Sequence, residues 1–314
     1  MTTLIYHHPV CSEHDMGYGH PECPARLDAI LGALRTPPFA DLQWREAPAA
    51  TLEQLTRVHP NTYVERVLAA VPQHGLRALD PDTALSPRSG EAALRAAGAA
   101  CAAVDAIMAG EAHSAFCAVR PPGHHAEPSR AMGFCVFNNV AIGAVHARAV
   151  HGLDRVAIID FDVHHGNGTQ AAFQTQPEYL YLSSHQSPLY PGTGRRTERG
   201  VGNIVNVPLA PYSGSTDFRQ AWTAIMAPAL REFRPDFIFV SAGFDAHEMD
   251  PLAQLELTEE DFDWITREIL DLAAECCGGR VVSTLEGGYN LSALAASVAL
   301  HVKAMMEAVA QVRR

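Results

Sequence analysis

Short apolar runs and stretches of helical periodicity alternate along the chain, most regularly from residue 114 onwards. The run at residues 156–159 is rich in β-branched residues, as is typical of a strand buried on both faces of a sheet. The apolar runs lie at residues 114–119, 156–161, 179–183, 203–208, 237–242 and 280–285. Between them the helical pattern covers residues 138–151, 215–233, 258–276 and 291–312. This alternation predicts an α/β protein with a mostly parallel open sheet and helices on both faces.

The chain before residue 114 shows the same two patterns less regularly. Strands are predicted at residues 4–7 and 43–47, and helices at residues 24–34, 51–58, 61–71 and 90–108. Thr51 and Asn61 stand where capping residues would open their helices. Arg26 falls within the first helix, where spacing alone predicts a surface arginine. No Pro/Ser-rich linker or internal repeat interrupts the pattern, so we expect one domain over residues 1–314.

Polar clusters follow four of the predicted strands, always at the carboxyl end of the strand. They are residues 120–127, 160–165, 243–247 and 286–290. In an open parallel sheet, ligands bind beyond the carboxyl ends of the strands. The four clusters therefore predict one shared site. A separate polar segment, residues 79–87, is predicted to be a loop in which Asp80 or Asp82 either reaches a substrate or caps the loop.

Acidic and imidazole side chains in two of these clusters suit a divalent metal. Asp160, Asp162 and His164 alternate along an extended chain, so they lie on one side of it. Asp162, His164 and Asp245 supply two carboxylates and one imidazole and leave coordination positions free, which indicates a catalytic metal. Zinc is our first choice, and iron(II) suits the same ligands. Zinc can lower the pKa of a water molecule to about 7, which provides a nucleophile at neutral pH.

Groups suited to proton transfer and to oxyanion binding lie in the remaining clusters. His124 and His125 follow a Pro-Pro-Gly turn, and a histidine with a near-neutral pKa can move a proton from water to a leaving amine. Asp160 and Asn167 would orient these rings. Tyr289 lies in a Gly-Gly-Tyr turn and can donate a hydrogen bond to a developing oxyanion.

Composition and charge exclude several classes of function. The net charge of −12 disfavours nucleic acid or an anionic membrane as a partner. Lys303 is the only lysine, which argues against a P-loop or a Schiff-base mechanism. Residues 166–171 follow a strand as a dinucleotide fingerprint would, but no acidic residue follows at the expected distance. We therefore expect neither nucleic-acid nor nucleotide binding.

Cysteine usage and the amino terminus bear on the compartment. Seven cysteines without a CxxC spacing suit free thiols in a reducing environment. The amino terminus lacks the basic region and apolar segment of a signal peptide, and no uninterrupted apolar stretch approaches a membrane span. A cytoplasmic protein is expected, and the sequence leaves the oligomeric state, including a homo-oligomer, open.

The motifs at these strand ends resemble those of the histone deacetylase family, in family order and over nearly the whole chain. The resemblance favours the class II-like branch that contains bacterial histone deacetylase-like amidohydrolases and acetylpolyamine amidohydrolases. The matching segments are Pro122-Gly-His-His-Ala, Asp160-Phe-Asp-Val-His-His-Gly-Asn-Gly, Tyr190-Pro-Gly-Thr-Gly, Ser241-Ala-Gly-Phe-Asp-Ala-His and Glu286-Gly-Gly-Tyr-Asn.

The resemblance implies an arginase-deacetylase fold and zinc-dependent hydrolysis of an N-acetylated amine. By that resemblance Asp162, His164 and Asp245 bind zinc, His125 is the general base and acid, His124 is its electrostatic partner, and Tyr289 polarises the acetyl carbonyl. It also implies a potassium site beside the zinc, matched by Asp160, Asp162, His164 and Ser183, and an outer cation site near Phe173 and Tyr179.

The same resemblance implies a narrow tunnel for the acylated amine. Gly133, Phe134, Tyr190 and Leu252 match its walls, and Arg26 matches an arginine behind the site that is associated with acetate release. Loops 11–22 and 190–201 are expected to frame the entrance. Asn167 replaces an aspartate found in some branches of the family.

The substrate class stays open between two kinds of acetylated amine. Acetyl-lysine in proteins or peptides is favoured, since polyamine-specific relatives have an acidic gatekeeper where this chain has Leu252. Glu248 and Asp250 lie close by in the sequence and weaken that inference, so an acetylpolyamine deacetylase is the alternative.

Two further hypotheses belong to other classes. An arginase-like ureohydrolase would need a two-manganese cluster, against which Phe244 and the tandem histidines argue. A non-catalytic reader of acyl-lysine would not need to retain His125 and Tyr289.

Overall fold

The computed structural model describes residues 2–311, with side chains for residues 2–308. Ten strands are present in this part of the chain. They are β1 (Thr2–His7), β2 (Gln43–Glu46), β3 (Arg77–Asp80), β4 (Thr83–Leu85), β5 (Ala112–Cys117), β6 (Val156–Asp160), β7 (Tyr179–Gln186), β8 (Ile204–Leu209), β9 (Phe237–Ala242) and β10 (Val281–Leu285).

The helices lie between these strands, mostly as connections from one strand to the next. They are α1 (Ala25–Leu34), α2 (Leu52–Thr56), α3 (Asn61–Ala69), α4 (Ser89–Met108), α5 (Asn139–His151), α6 (Asn167–Phe173), α7 (Ser215–Ala221), α8 (Ala227–Phe233), α9 (Glu259–Cys277) and α10 (Leu291–Gln311).

Eight of the strands form one sheet in the order β2-β1-β5-β10-β9-β6-β7-β8, and every neighbouring pair is parallel. Phe239 of β9 packs near Gly143 of α5, whereas Ser283 of β10 bonds to His301 of α10. Ser283 pairs with Val240, the neighbour of Phe239, so these contacts lie on opposite faces of the sheet. The predicted parallel sheet with helices on both faces is confirmed.

The sheet interior is apolar because its strands are covered on both faces. All five residues of β6, all six of β9 and all five of β10 are buried. Such strands lack the alternation of a half-exposed sheet, which explains why they appear in the sequence as continuous apolar runs. The polar residues at their carboxyl ends are therefore held on a rigid base.

One local prediction was wrong. The segment 79–87, expected to be a loop, holds most of the antiparallel hairpin β3–β4, with Pro81 and Asp82 as the turn between Asp80 and Thr83. The helix predicted over residues 215–233 is confirmed, but it has a π-helical segment, Trp222–Met226, at its centre. Pro228 lies two residues after this segment, and its missing N–H and its ring are incompatible with a regular α-helical bond there.

The capping predictions had mixed outcomes. Thr51 accepts the Gln54 N–H and completes a capping box for α2. Asn61, however, is the first residue of α3 rather than its cap, and its amide donates to Glu65.

Helix α10 meets a criterion that the sequence pattern did not suggest. Over Leu291–Ala308 it is long and apolar enough to cross a membrane by length and composition alone, although His301, Lys303 and Glu307 interrupt its apolar residues. Its residues Leu294, Val298, Val302 and Met305 are buried in the hydrophobic core. This stripe is the pattern of an amphipathic helix packed on a core.

Candidate active site

The four polar clusters meet at one end of the sheet because β5, β10, β9 and β6 are consecutive neighbours at its centre. Register brings their ends level: Asp160 pairs with Ser241, and Ser241 pairs with Thr284. The segments that leave these strands therefore converge, as predicted from the rule for open parallel sheets.

Asp162, His164 and Asp245 come together as a buried group of potential metal ligands within 4.8 Å of one another. The Nδ1 atom of His164 lies 3.1 Å from Asp162 Oδ1 and 3.1 Å from Asp245 Oδ2. Backbone groups fix the two carboxylates, because the Val163 N–H donates to Asp245 and the Gly287 N–H donates to Asp162. Two carboxylates and one imidazole form the donor set of an open catalytic zinc site, so these residues fit that metal.

Glycines make room for these carboxylates. A Cβ atom on Gly287 would lie 2.0 Å from Asp245 Oδ2, and one on Gly243 would lie 2.0 Å from Asp162 Oδ2. Real Cβ atoms essentially never approach a heavy atom closer than 3.0 Å. Both positions therefore need glycine for close approach to the metal ligands.

Charge in this group also favours a cation. Burial alone would lower the pKa of His164, but hydrogen bonds to Asp162 and Asp245 outweigh it and raise this pKa to about 10. Burial likewise opposes ionisation of Asp162, but His124 and His164 outweigh it and lower the pKa of the carboxyl. Without a metal, a proton on His164 offsets part of the buried negative charge, and a divalent ion would compete with that proton.

His124 and His125 lie side by side, with ring centroids 4.1 Å apart, but have opposite environments. Burial would lower the pKa of His124, yet Asp162 and Asp160 outweigh it and raise this pKa well above its ordinary value. His124 Nδ1 lies 3.0 Å from Asp160 Oδ2. Burial, His124 and His164 all lower the pKa of His125. The pair therefore divides into a cationic and a neutral imidazole.

Hydrogen bonding assigns the tautomer of the neutral ring. Asn167 donates through Nδ2 to Glu127, so its Oδ1, 2.8 Å from His125 Nδ1, is an acceptor. His125 Nδ1 therefore carries the proton, and Nε2 is left as an unprotonated acceptor. That is the state a general base requires.

The predicted tunnel walls line a cavity of about 240 Å³ above the metal ligands. Tyr190 packs edge-on to His125, at 5.2 Å between ring centroids, and Phe134 packs edge-on to Tyr289, at 5.9 Å. Burial raises the pKa of Tyr289 well above its ordinary value, although Arg26 opposes this, so its hydroxyl stays a donor. The lining residues are Asp82, His125, Gly133, Phe134, His164, Leu189, Tyr190, Leu252 and Tyr289.

Arg26 lies behind Tyr289 and is fully buried, so the surface position predicted from spacing was wrong. Its guanidinium is 4.9 Å from the centre of the Tyr289 ring and donates to the carbonyl oxygens of Gly288 and Glu286, each at 2.6 Å. Arg26 lies on the buried face of α1 with Leu27 and Ile30, whereas Asp28 faces solvent, and periodicity alone did not assign an arginine to the buried face. This place matches the one implied by the family resemblance.

Sequence reasoning missed the charged residues packed around Arg26. Glu22 forms ion pairs with Arg26 and with Arg120, and all three side chains are fully buried. Burial would raise the pKa of Glu22, but Arg120 and His14 outweigh it and hold it well below its ordinary value. Glu22 and Arg26 are only four residues apart, but Arg120 comes from a distant part of the chain, so the sequence did not signal the cluster of three.

Asp82 and Leu189 also line the cavity. The sequence predicts a possible substrate contact for Asp82 but gives no signal for Leu189. Asp82 accepts the Gly133 N–H at 2.9 Å, so it supports the tunnel wall as well as lining it. Asp80 instead pairs with Arg130 at 3.0 Å. From loop 11–22, His20 contacts Phe134 edge-on at 4.7 Å, which puts that loop beside the tunnel as expected.

The residues proposed for monovalent cations are placed as follows. Asp160 pairs in register with Ser183, and its Oδ2 also accepts from the Tyr181 hydroxyl at 2.9 Å. Carbonyl oxygens of Phe173 and Tyr179 each accept from the Asn203 side-chain amide at 2.8 Å. Cation binding at either place stays a prediction.

A second group of potential ligands, Asp105, His146 and His151, lies near the amino ends of β5 and β6, away from the tunnel. Arg57 lies 3.0 Å from His146 Nδ1 and can only donate, so the neutral ring carries its proton on Nε2. Both histidines then donate through Nε2 to Asp105 Oδ1, at 2.8 and 2.7 Å. This group is best described as hydrogen bonds that join α4 to α5.

Comparisons with known proteins agree with this geometry. The histone deacetylase domain model matches residues 20–305. Histone deacetylase 14, chloroplastic, from Arabidopsis thaliana is 44% identical over 308 residues, which cover 91% of this chain and 73% of that protein. The histone deacetylase-like amidohydrolase of Pseudomonas aeruginosa is 44% identical over 280 residues, which cover 87% of this chain and 73% of that protein.

Two further matches extend the comparison. The polyamine deacetylase HDAC10 of Homo sapiens is 37% identical over 327 residues, which cover 97% of this chain and 48% of that protein. The crystal structure of the HDA15 HD domain has a TM-score of 0.92 at 34% identity and covers 99% of this chain and 92% of that chain.

Proposed function

The chain belongs to the histone deacetylase family and has the arginase-deacetylase fold, and from that premise we propose that it is a zinc-dependent hydrolase of acetyl-lysine in proteins or peptides. One observation carries the proposal: the potential metal ligand His164, the neutral His125 and the Tyr289 phenol line the same cavity. A base, an oxyanion donor and a Lewis-acid site within one pocket are the components of amide hydrolysis.

Zinc would be held by Asp162, His164 and Asp245, and iron(II) is the second candidate for the same ligands. When bound, the metal supplies a Lewis acid that activates water and polarises a carbonyl group. The proposal also includes potassium near Asp160 and Ser183.

Proton movement is assigned to His125. Its Nε2 accepts the proton of the attacking water while the water oxygen bonds to the acetyl carbon. The same proton then passes to the amine nitrogen as the carbon–nitrogen bond breaks, which yields the free amine and acetic acid. The acid keeps the second proton of the water until it ionises to acetate. His124, held cationic by Asp160 and Asp162, favours the negative charge that develops on the acetyl oxygen.

Tyr289 donates its hydroxyl proton to a hydrogen bond with that oxygen. Because the pKa of Tyr289 is raised by burial, the hydroxyl remains protonated throughout the pH range in which His125 can act as a base. Removal of this donor should therefore lower kcat strongly and weaken substrate binding only slightly.

The tunnel favours a neutral, extended substrate stem. Leu252, Phe134 and Tyr190 supply apolar walls. Asp250 is buried, and its burial together with the neighbouring Asp245 raises its pKa to about 7, so at neutral pH it carries less negative charge than an ordinary aspartate. Deacetylation of a small acetylated polyamine is the alternative, supported by the relative named for that activity and by the exposed Glu248.

The test is kcat/KM of the zinc-loaded protein on an acetyl-lysine peptide and on acetylputrescine, measured side by side. Acetate release with a preference for the peptide is expected. A preference for acetylputrescine would instead indicate an acetylpolyamine deacetylase. The same assay with iron(II)-loaded protein compares the two metals. We further propose a cytoplasmic location and no nucleic-acid or membrane partner, which fractionation of the native host cells would test.

A further inference from the structure

Asp250 connects two parts of the tunnel through its carboxylate. It lies five residues after Asp245 and is only 6% exposed. Its Oδ1 accepts the Leu252 N–H at 3.0 Å, and its Oδ2 accepts the Tyr289 N–H at 2.7 Å. Leu252 and Tyr289 both line the cavity, so one carboxylate ties the backbone of a wall residue to the backbone of Tyr289.

The bond to Tyr289 is not explained by local turn chemistry. An aspartate that accepts the N–H two residues later is a common turn feature, and the bond to Leu252 is of that kind. Tyr289 is 39 residues further along the chain and begins the connection to α10. A buried carboxylate aimed at this distant N–H therefore has a role beyond its own turn.

The peptide groups just before Tyr289 are fixed by other partners. The Gly287 N–H donates to Asp162, the Phe244 N–H donates to the Gly287 carbonyl oxygen, and Arg26 donates to the Gly288 carbonyl oxygen. Asp250 supplies the matching restraint at Tyr289 itself. Without Asp250 the backbone would still be held at residues 287 and 288, but at residue 289 only the ring contacts with Arg26 and Phe134 would oppose a tilt.

Such a tilt affects the phenol more than the backbone. A tyrosine hydroxyl lies roughly 6.5 Å from its Cα atom, so a tilt of about 10° moves it by about 1 Å, beyond the roughly 0.5 Å that functional geometry tolerates. A displacement of about 1 Å can cost about 100-fold in rate.

We propose that Asp250 is a positioning residue for the deacetylation reaction. By holding the Tyr289 backbone, it keeps the Tyr289 hydroxyl in place beside the metal site. This inference rests on the proposed function. It assigns to Asp250 no contact with substrate or metal, and it predicts an effect on turnover that depends on the Tyr289 hydroxyl.

The experiment is a double-mutant cycle of Asp250→Asn with Tyr289→Phe, measured on the zinc-loaded protein with an acetyl-lysine peptide. Asparagine has the shape of aspartate but keeps one acceptor oxygen, so one of the two N–H groups faces an amide N–H instead. In the Tyr289 background we expect kcat to fall about 10- to 100-fold with KM nearly unchanged. In the Tyr289→Phe background we expect less than about a threefold further fall, because the group being positioned is already absent.

Asp236→Asn is the matched control. Asp236 Oδ2 also accepts two backbone N–H groups, from Asp154 and Arg155, but it lies before β9 at the opposite edge of the sheet. Its kcat should equal that of the wild type. Zinc content and circular dichroism of Asp250→Asn should also match the wild type, because the Asp250 side chain forms hydrogen bonds with Leu252 and Tyr289 and with none of the three metal ligands.

Equal falls in both Tyr289 backgrounds would overturn the proposal, since they would show a structural effect that does not act through the hydroxyl. If Asp250→Asn does not fold, Asp250→Glu takes its place in the cycle, because it keeps both oxygens and moves them by one methylene. An inactive wild-type protein with full zinc content would contradict the proposed function instead, so the two failures are distinguishable.

Discussion

Substitution of Gly287 by alanine should disable the metal site without any change to a ligand. The new Cβ atom would lie 2.0 Å from Asp245 Oδ2 and 2.7 Å from Asp162 Oδ2. Since real contacts of this kind stay above 3.0 Å, the Asp245 oxygen or the turn must move by about 1 Å. Gly287 does not have a positive φ angle, so the obstacle is this contact and not backbone conformation.

The size of the effect follows from how little displacement a metal site accepts. Ligand distances hold to within about 0.2 Å in functional sites, several times less than the required shift. Changes that only disturb residues around the ligands cost about 10- to 100-fold in affinity. Displacing a ligand itself should therefore weaken zinc binding by more than about 100-fold, or about 2.8 kcal/mol.

Zinc affinity is measured by competition with a chromogenic chelator, beside circular dichroism to confirm folding. Gly32→Ala is the matched control, because a Cβ atom on Gly32 in α1 meets nothing within 4 Å. It should bind zinc like the wild type and be slightly more stable, since alanine favours a helix over glycine by about 1 kcal/mol. Wild-type affinity in folded Gly287→Ala would refute the argument.

The remaining predictions concern chemistry, stability and selectivity. Tyr289→Phe should lower kcat by about 10²- to 10³-fold with normal zinc content, and near-normal turnover would remove the phenol from the reaction. Below the raised pKa of His164, about 10, zinc affinity should rise about tenfold per pH unit, because the metal displaces the proton on that ring; affinity independent of pH would contradict this. Glu22→Gln should lower the free energy of unfolding by roughly 3–5 kcal/mol in denaturant titrations, since it leaves buried arginines unpaired. The low pKa of Glu22 means that its contribution is present above about 4.5 and is lost as pH falls through the lower folded value, so a wild-type acid transition in Glu22→Gln would count against it. Leu252→Glu should shift kcat/KM towards acetylputrescine by at least about tenfold, and an unchanged ratio would exclude position 252 as a gate.

The arrangement of the metal ligands was predictable because it depends on a rule of topology. Continuous apolar runs mark buried parallel strands, and the carboxyl ends of such strands share one edge of the sheet. Asp162 and Asp245 follow β6 and β9, which are direct neighbours. Their proximity therefore needed no knowledge of side-chain packing.

The charged cluster behind the tunnel was not predictable in the same way. Periodicity shows that one face of α1 is buried but not what meets it, so Arg26 was expected at the surface. Its partner Glu22 lies four residues before it, but Arg120, which pairs with Glu22, follows β5, and only the folded chain brings Arg120 to the other two. The tautomer of His125 was equally hidden, since it depends on the bond from Asn167 to Glu127.

Two details of local structure, a π-helical segment and a short hairpin, were not predicted from the sequence pattern. The apolar pattern of residues 215–233 is helical throughout, but Pro228 shifts part of it into a π-helical segment. The hairpin β3–β4 was hidden because its strands have only four and three residues. Runs that short give too few positions for a period of two to be recognised.

The measurement that tests the central claim most directly is acetate release from an acetyl-lysine peptide as zinc is titrated into metal-free protein. The account predicts that activity rises in proportion to bound zinc and saturates at one zinc per chain, and that Asp245→Ala neither binds this zinc nor releases acetate. Saturation at two metals per chain would revive the arginase-like alternative. No acetate release from fully loaded, folded protein would contradict the account.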